Sequence, residues 1–155
     1  MLFKKKRDLS IYSPFEAEII PLINVPDPVF SQKLMGDGIG FIPSKDEIYM
    51  PFSGTINQVF PTKHAIGITT DSGIDALLHI GLETVELQGK GFDIHAKPGD
   101  KLKSGSLLGF VDLNFIDISG KEIISVLVFP ENKNEIIIQT YGKVKGTEKI
   151  ASFFN

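Results

Sequence analysis

Three histidines, His64, His79 and His95, are the residues of this chain best suited to chemistry. Histidine is the one side chain whose ordinary pKa lets it act near pH 7 either as a neutral nucleophile or as a charged partner. His79 closes the apolar part of the run Asp75-Ala76-Leu77-Leu78-His79-Ile80-Gly81. Period-two alternation puts Leu77 and His79 on one face and Leu78 and Ile80 on the other, so a polar ring stands on a largely apolar strand. Burying that ring without partners would cost roughly 1–3 kcal/mol, so it must be hydrogen-bonded or sit at the lip of a cleft. A single strand histidine is more often a satisfied structural residue than a reactive one.

His64, in Pro61-Thr62-Lys63-His64-Ala65-Ile66, opens the preceding strand after a turn. If strands 65–70 and 75–80 form a hairpin around Asp71-Ser72-Gly73, facing residues keep a constant index sum of about 143 to 145. His64 then faces His79 or its neighbour. Two adjacent imidazoles can serve as nucleophile and stabiliser, or as two ligands of a metal, and this pairing moves the balance toward function. His95 lies in the charged stretch Phe92-Asp93-Ile94-His95-Ala96-Lys97-Pro98, which reads as a loop, and is expected at the surface.

Among nearby acids, Asp27, Asp71, Asp75, Glu83 and Glu86 lack the spacing of a glycosidase pair or a calcium loop. A carboxylate beside an imidazole would raise its pKa and hold its orientation, a role open to Asp27 or Glu83. Gly36-Asp37-Gly38-Ile39-Gly40 has neither the G-x-G-x-x-G pattern before a helix nor a G-K-[ST] ending, so its glycines read as turn residues.

The elements that must hold these residues are strands. The 15 Gly and 9 Pro punctuate short runs rich in Ile, Val, Phe and Thr, not long helical periods. Strands are expected at 16–20, 38–42, 47–50, 54–60, 65–70, 75–80, 107–111, 123–129, 135–140 and 142–145, with one helical turn within 112–119 and a hairpin-like connection at 98–105. So many short strands imply an all-β sandwich or barrel.

Bulk properties narrow the function. A chain of 155 residues, 42% of them hydrophobic, can bury one sizeable core. Residues 14–155 are expected to form a single domain behind a flexible basic arm at 1–13. The formal charge of −3 supplies no positive field for a nucleic-acid backbone, so nucleic acid is excluded as an expected partner. Cysteine is absent, which removes disulfides, thiolate metal sites and a cysteine nucleophile. No apolar run approaches the roughly 20 residues needed to span a bilayer. Lys4-Lys5-Lys6-Arg7 behind Leu2 and Phe3 supports at most weak, salt-sensitive peripheral membrane contact. A cytoplasmic monomer is expected.

A set of motifs carries a more specific message. They are Val25-Pro26-Asp27, Val29-Phe30, Gly36-Asp37-Gly38-Ile39, Pro51 with Gly54-Thr55-Ile56, Thr62-Lys63-His64-Ala65, Asp71-Ser72-Gly73, His79-Ile80-Gly81, and Thr84-Val85-Glu86-Leu87 with Gly89-Lys90-Gly91-Phe92. Over the run from Val25 to Leu113 the chain resembles the glucose-type enzyme IIA family of the phosphoenolpyruvate-dependent sugar phosphotransferase system. The resemblance implies an antiparallel β-sandwich of the barrel-sandwich hybrid type, with both histidines in a shallow depression ringed by apolar residues. It implies that His79 takes a phosphoryl group from phosphohistidine on the carrier HPr and passes it to a cysteine of a sugar-specific enzyme IIB.

The same resemblance assigns His64 to stabilising the phosphoryl group, oriented by Thr62, and assigns the acceptor for the second His79 nitrogen to the carbonyl of Gly81. It implies flanking acids at Asp27 and Glu83, although Asp is more usual at the latter position. It implies a partner-docking rim of Val29, Phe30, Leu34, Met35, Phe60 and Val85. With no cysteine in the chain, the acceptor is expected on a separate protein. No cofactor is obligatory, while zinc held by His64 and His79 with a partner ligand is left open, as is a regulatory role switched by phosphorylation. A zinc hydrolase on a similar β architecture is the competing class, but its H-x-H pair is missing.

Overall fold

The computed structural model describes residues 10–131 and 135–153. In chain order its strands are β1 (Ser10–Tyr12), β2 (Ala17–Pro21), β3 (Asp37–Pro43), β4 (Glu47–Tyr49), β5 (Gly54–Val59), β6 (Ala65–Thr70) and β7 (Asp75–His79). They continue as β8 (Phe92–Ile94), β9 (Lys101–Leu102), β10 (Leu107–Val111), β11 (Ser125–Phe129), β12 (Ile136–Ile138), β13 (Gly142–Val144) and β14 (Lys149–Phe153). The helices are short: α1 (Pro28–Ser31), α2 (Leu113–Ile118) and two 3-10 turns at Leu22–Asn24 and Thr84–Leu87.

An eight-stranded sheet runs in the order β13-β2-β3-β11-β7-β6-β5-β9, accompanied by two three-stranded sheets, β1-β14-β12 and β4-β10-β8. Strand pairings are antiparallel, so the molecule is an antiparallel β-sandwich, as the strand count implied. Its main core gathers Ile11, Phe15, Phe41, Ile48, Met50, Ile66, Leu78, Phe129 and Ile150 from all three sheets. Fully burying one such side chain contributes about 1.5–3 kcal/mol.

The opposite face of the large sheet carries a smaller cluster of Leu22, Val25, Phe30, Leu82, Val126 and Val128. Strand β11 is therefore covered on both sides. Leu127 and Phe129 enter the main core while Val126 and Val128 enter the smaller cluster, which is why Ser125–Phe129 is buried throughout. Gly40 allows this cover to lie close, since a Cβ there would stand 2.7 Å from Ile20 Cγ1 and 2.9 Å from Val25 Cγ2.

The hairpin that brings the histidines together has the expected register. Ala65 faces His79 and Thr69 faces Asp75, an index sum of 144. Helix α2 occupies the stretch read as a helical turn, its first turn capped by Asp112, whose Oδ1 accepts from the Phe115 amide at 3.0 Å.

Several expectations are corrected. The basic arm does not extend to residue 13, because Ser10–Tyr12 pairs with β14 and Ile11 and Ser13 are fully buried; residues 1–9 lie outside the described residues. Phe92–Ile94, read as loop, is a strand beside β10. The connection at 98–105 contains β9, which pairs with the start of β5. Strand β14 had no counterpart among the expected strands, and the expected strand at 135–140 is confined to Ile136–Ile138.

Candidate active site

His79 ends β7 on the face of Leu77, turned toward the smaller cluster, while Ala76, Leu78 and Ile80 enter the main core. Val126 of β11 and Ala65 of β6 flank it in register. Ala65 offers only a methyl on that face, which leaves room beside the ring. Phe30 closes one side, its ring centroid 5.1 Å from that of His79 at 58°.

His64 sits where β6 begins, after a turn in which Lys63 adopts a φ of +61°. Its carbonyl accepts from the Ile80 amide at 2.8 Å, so backbone pairing continues one step past His79. The two imidazoles meet edge to face with centroids 5.0 Å apart and planes at 79°. Phe60 also packs on His64, ring centroids 5.7 Å apart and planes at 77°.

The hydrogen bonds assign the ring nitrogens of His79. Its Nδ1 lies 2.8 Å from the Gly81 carbonyl, which can only accept, so in the neutral ring the proton is on Nδ1 and the Nε2 lone pair is free. Gly81 reaches this position through a φ of +71°, and a Cβ there would come within 2.5 Å of Thr84 Cγ2. His64 Nδ1 lies 2.7 Å from Thr62 Oγ1. When the hydroxyl donates to that nitrogen, the His64 proton is carried on Nε2, ready to donate.

Burial first, and then the neighbouring His64, lower the pKa of His79 from 6.5 to about 4. The hydrogen bond to Gly81 and the charge of Asp27 oppose that shift without reversing it. The pKa of His64, 5% exposed, is also lowered by burial, with a hydrogen bond to the Thr62 backbone opposing. Both rings are thus held toward neutrality, the form a nitrogen nucleophile requires.

Asp27 and Glu83 are placed differently. Asp27 caps α1, its Oδ1 accepting from the Val29 amide at 3.0 Å, with Pro28 in the first helical position. It is near enough to His79 to act on its charge. Glu83 has a left-handed backbone, makes no capping bond, and points an exposed carboxylate to within 3.9 Å of Lys121, which also binds Glu86. A cleft of about 260 Å³ separates the Asp27 cap from the Glu83–Lys121 pair. Asp71 and Asp75 are exposed.

Of the expected rim, Val29, Leu34 and Val85 are exposed, Leu34 to 67%, and Met35 and Phe60 are partly so. Phe30 is the exception: at 5% exposure it is a wall of the histidine site and belongs to the buried cluster. Ile23, 73% exposed on the 3-10 turn that contacts α1, is an apolar surface residue absent from the sequence reading. His95 is at the surface, its Nε2 3.0 Å from Asp93.

Three supporting residues had no role in the sequence reading, Thr84 standing there as a motif residue alone. Ser125 Oγ accepts from the Gly81 amide at 3.0 Å, Thr84 Oγ1 donates to the Ile80 carbonyl at 2.6 Å, and Lys121 ties down the loop that carries Glu83 and Glu86. The available signal was a hydroxyl at the head of the otherwise apolar run Ser125–Phe129.

The pair supplies two ring nitrogens as metal donors, and among the described residues no His, Cys, Asp and Glu side chains form a group of three. A catalytic zinc of the hydrolase kind takes three protein ligands, so this donor set does not fit that class. Among the described residues no helix is long and apolar enough to cross a membrane.

The same arrangement has relatives. Residues 9–135 match the family described as phosphoenolpyruvate-dependent sugar phosphotransferase system, EIIA 1. A glucose-specific EIIA component of the phosphotransferase system from Staphylococcus aureus strain Mu50 is 38% identical over 148 residues, covering 94% of this chain and 89% of the relative. A glucose-specific EIICBA component from Staphylococcus saprophyticus is 42% identical over 125 residues, 81% of this chain but 18% of that longer protein. The solved structure of glucose permease IIA from Mycoplasma capricolum superposes with a TM-score of 0.87 at 35% identity, covering 97% of this chain and 98% of the other. On sequence and fold together, the chain belongs to the EIIA 1 family of the phosphoenolpyruvate-dependent sugar phosphotransferase system.

Proposed function

We propose that the protein carries a phosphoryl group on Nε2 of His79, taking it from the phosphohistidine of HPr and handing it to a cysteine of a sugar-specific enzyme IIB. The observation that carries this reading is the tie between His79 Nδ1 and the Gly81 carbonyl beside a second imidazole 5.0 Å away. It leaves one nucleophilic nitrogen, already neutral, next to one group able to donate to a phosphoryl oxygen.

On acceptance, the Nε2 lone pair forms the bond to phosphorus while the bond to the donor's histidine nitrogen breaks, and that nitrogen keeps the electron pair. On release, a cysteine thiolate attacks phosphorus and the P–Nε2 bond breaks, returning His79 to its neutral form. Phosphoryl transfer of this kind passes through a loose transition state in which positioning and charge stabilisation supply most of the catalysis. His64 Nε2–H serves the second purpose, with Thr62 fixing its tautomer. Asp27 acts on the charge of His79, and the exposed apolar side chains of Val29, Leu34 and Val85 form a rim suited to transient docking of two successive partners.

A glucose-type sugar is supported by the glucose specificity of the relatives. A zinc ion at His64 and His79 would take its remaining ligands from a partner. The testing experiment incubates the protein with phosphoenolpyruvate, enzyme I and HPr. Wild type takes up acid-labile label, His79→Gln takes up none, and His64→Gln takes it up but fails to pass it to enzyme IIB. Full labelling of His79→Gln would sink the assignment, and zinc content of the same sample tests the metal.

A further inference from the structure

Between His79 and the segment 120–125 lies a chain of hydrogen bonds that the motifs do not account for. The carbonyl that orients His79 belongs to Gly81, a residue whose φ of +71° is open to glycine at little cost and is therefore poorly held by its own backbone. Rotation about this residue would swing the carbonyl away from Nδ1. Two anchors on the same neighbouring segment oppose that rotation. On one side the Gly81 amide donates to Ser125 Oγ at 3.0 Å; on the other the Leu82 amide donates to the Glu122 carbonyl at 3.0 Å.

Ser125 is built for this role. It is fully buried, 44 residues away in sequence, and stands one residue before Val126, the cross-strand partner of His79. Its hydroxyl is itself fixed, donating to the Ile123 carbonyl at 3.0 Å, so its lone pairs face the Gly81 amide. Thr84, also fully buried, holds the carbonyl of the same Ile80–Gly81 peptide at 2.6 Å. An isosteric methyl would leave the buried Gly81 amide without its acceptor.

We propose that Ser125 is a positioning residue for His79, acting through the Gly81 peptide to hold the proton on Nδ1 and the lone pair on Nε2. This rests on His79 as the phosphoryl acceptor. Ser125→Ala removes one of the two anchors that bracket Gly81, leaving the following peptide, whose carbonyl orients Nδ1, held from the Leu82 side alone, so that His79 samples a mixture of tautomers and ring orientations. Because misplacement of an attacking atom by about 1 Å costs on the order of 100-fold in rate, the loss expected in phosphoryl acceptance is roughly 10- to 100-fold.

The test measures ring ¹⁵N chemical shifts of His79 and the rate of labelling from phospho-HPr in wild type, Ser125→Ala and Ser125→Cys. Ile150→Ala serves as a control destabilised at a buried site in another sheet. Wild type should show one protonated Nδ1 and one unprotonated Nε2. Ser125→Ala should show averaged shifts and the reduced rate, Ser125→Cys should fall between, and the control should match wild type in both readouts. Unchanged shifts and rate in Ser125→Ala would overturn the proposal, as would equal losses in the control. If Ser125→Ala does not fold, Ser125→Cys decides by the same two readouts. A wild type that takes no label would instead defeat the phosphoryl-carrier reading, while the nitrogen shifts still decide the role of Ser125.

Discussion

Acidification should destabilise this protein through His79, and the size of the effect follows from its surroundings. Burial first, then the adjacent His64, lowers the His79 pKa from 6.5 to about 4. In the unfolded chain the imidazole binds a proton as pH falls through 6.5; in the folded protein it does so only near pH 4. Between those values the unfolded state holds more protons, so stability is complete above pH 6.5 and declines as pH falls through the window. At 1.36 kcal/mol per pKa unit the loss approaches about 3 kcal/mol at pH 4, against a total stability of roughly 5–15 kcal/mol for a typical domain. Urea unfolding of wild type and His79→Gln from pH 7.5 to 4 isolates this contribution from the carboxylates, which titrate in both. The wild-type midpoint should fall further than that of the variant by about 1–3 M, given slopes of about 1–3 kcal/mol/M. Parallel midpoint curves, or a His79 ring titrating near 6.5 by NMR, would refute the reasoning.

Three other perturbations address separate parts of the site. Gly81→Ala puts a Cβ 2.5 Å from Thr84 Cγ2 at a φ of +71°; backbone strain and overpacking together should cost about 2–5 kcal/mol in urea unfolding and depress labelling of His79. Thr62→Val removes the hydroxyl 2.7 Å from His64 Nδ1. It should leave acceptance on His79 within about twofold but slow transfer to enzyme IIB, with a stability change near 1 kcal/mol or below. Leu34→Asp, at a 67% exposed position, should leave stability within about 0.5 kcal/mol yet raise the Kd for HPr in a titration.

The legible parts of the site were those set by local chain geometry. The tight turn at Asp71-Ser72-Gly73 fixes the register of β6 against β7, so the index sum alone brought His64 beside His79. The alternation in β7 likewise told which face the ring would take. Features created by distant segments were hidden. Ser125 reaches Gly81 across 44 residues and binds a backbone amide, so the hydroxyl at the head of an apolar strand was its one trace in the sequence and nothing there named its partner. The resemblance assigned Phe30 to the docking rim, but α1 lies over the smaller cluster and turns that ring inward onto His79. Strands β8 and β9 are three and two residues long, too short for alternation to register. Strand β1 borders a run of charges, and only its pairing with β14 gives Ile11 a core to enter.

The central claim is that a fixed tautomer of His79 makes Nε2 the atom that carries the phosphoryl group. The most direct measurement is NMR of the protein phosphorylated by phospho-HPr, reading the ³¹P–¹⁵N coupling within a ¹⁵N-histidine-labelled sample. A single phosphoryl group coupled to Nε2 of His79, with the proton retained on Nδ1 toward Gly81, is the predicted result. Coupling to Nδ1 of His79, or to either nitrogen of His64, would contradict it.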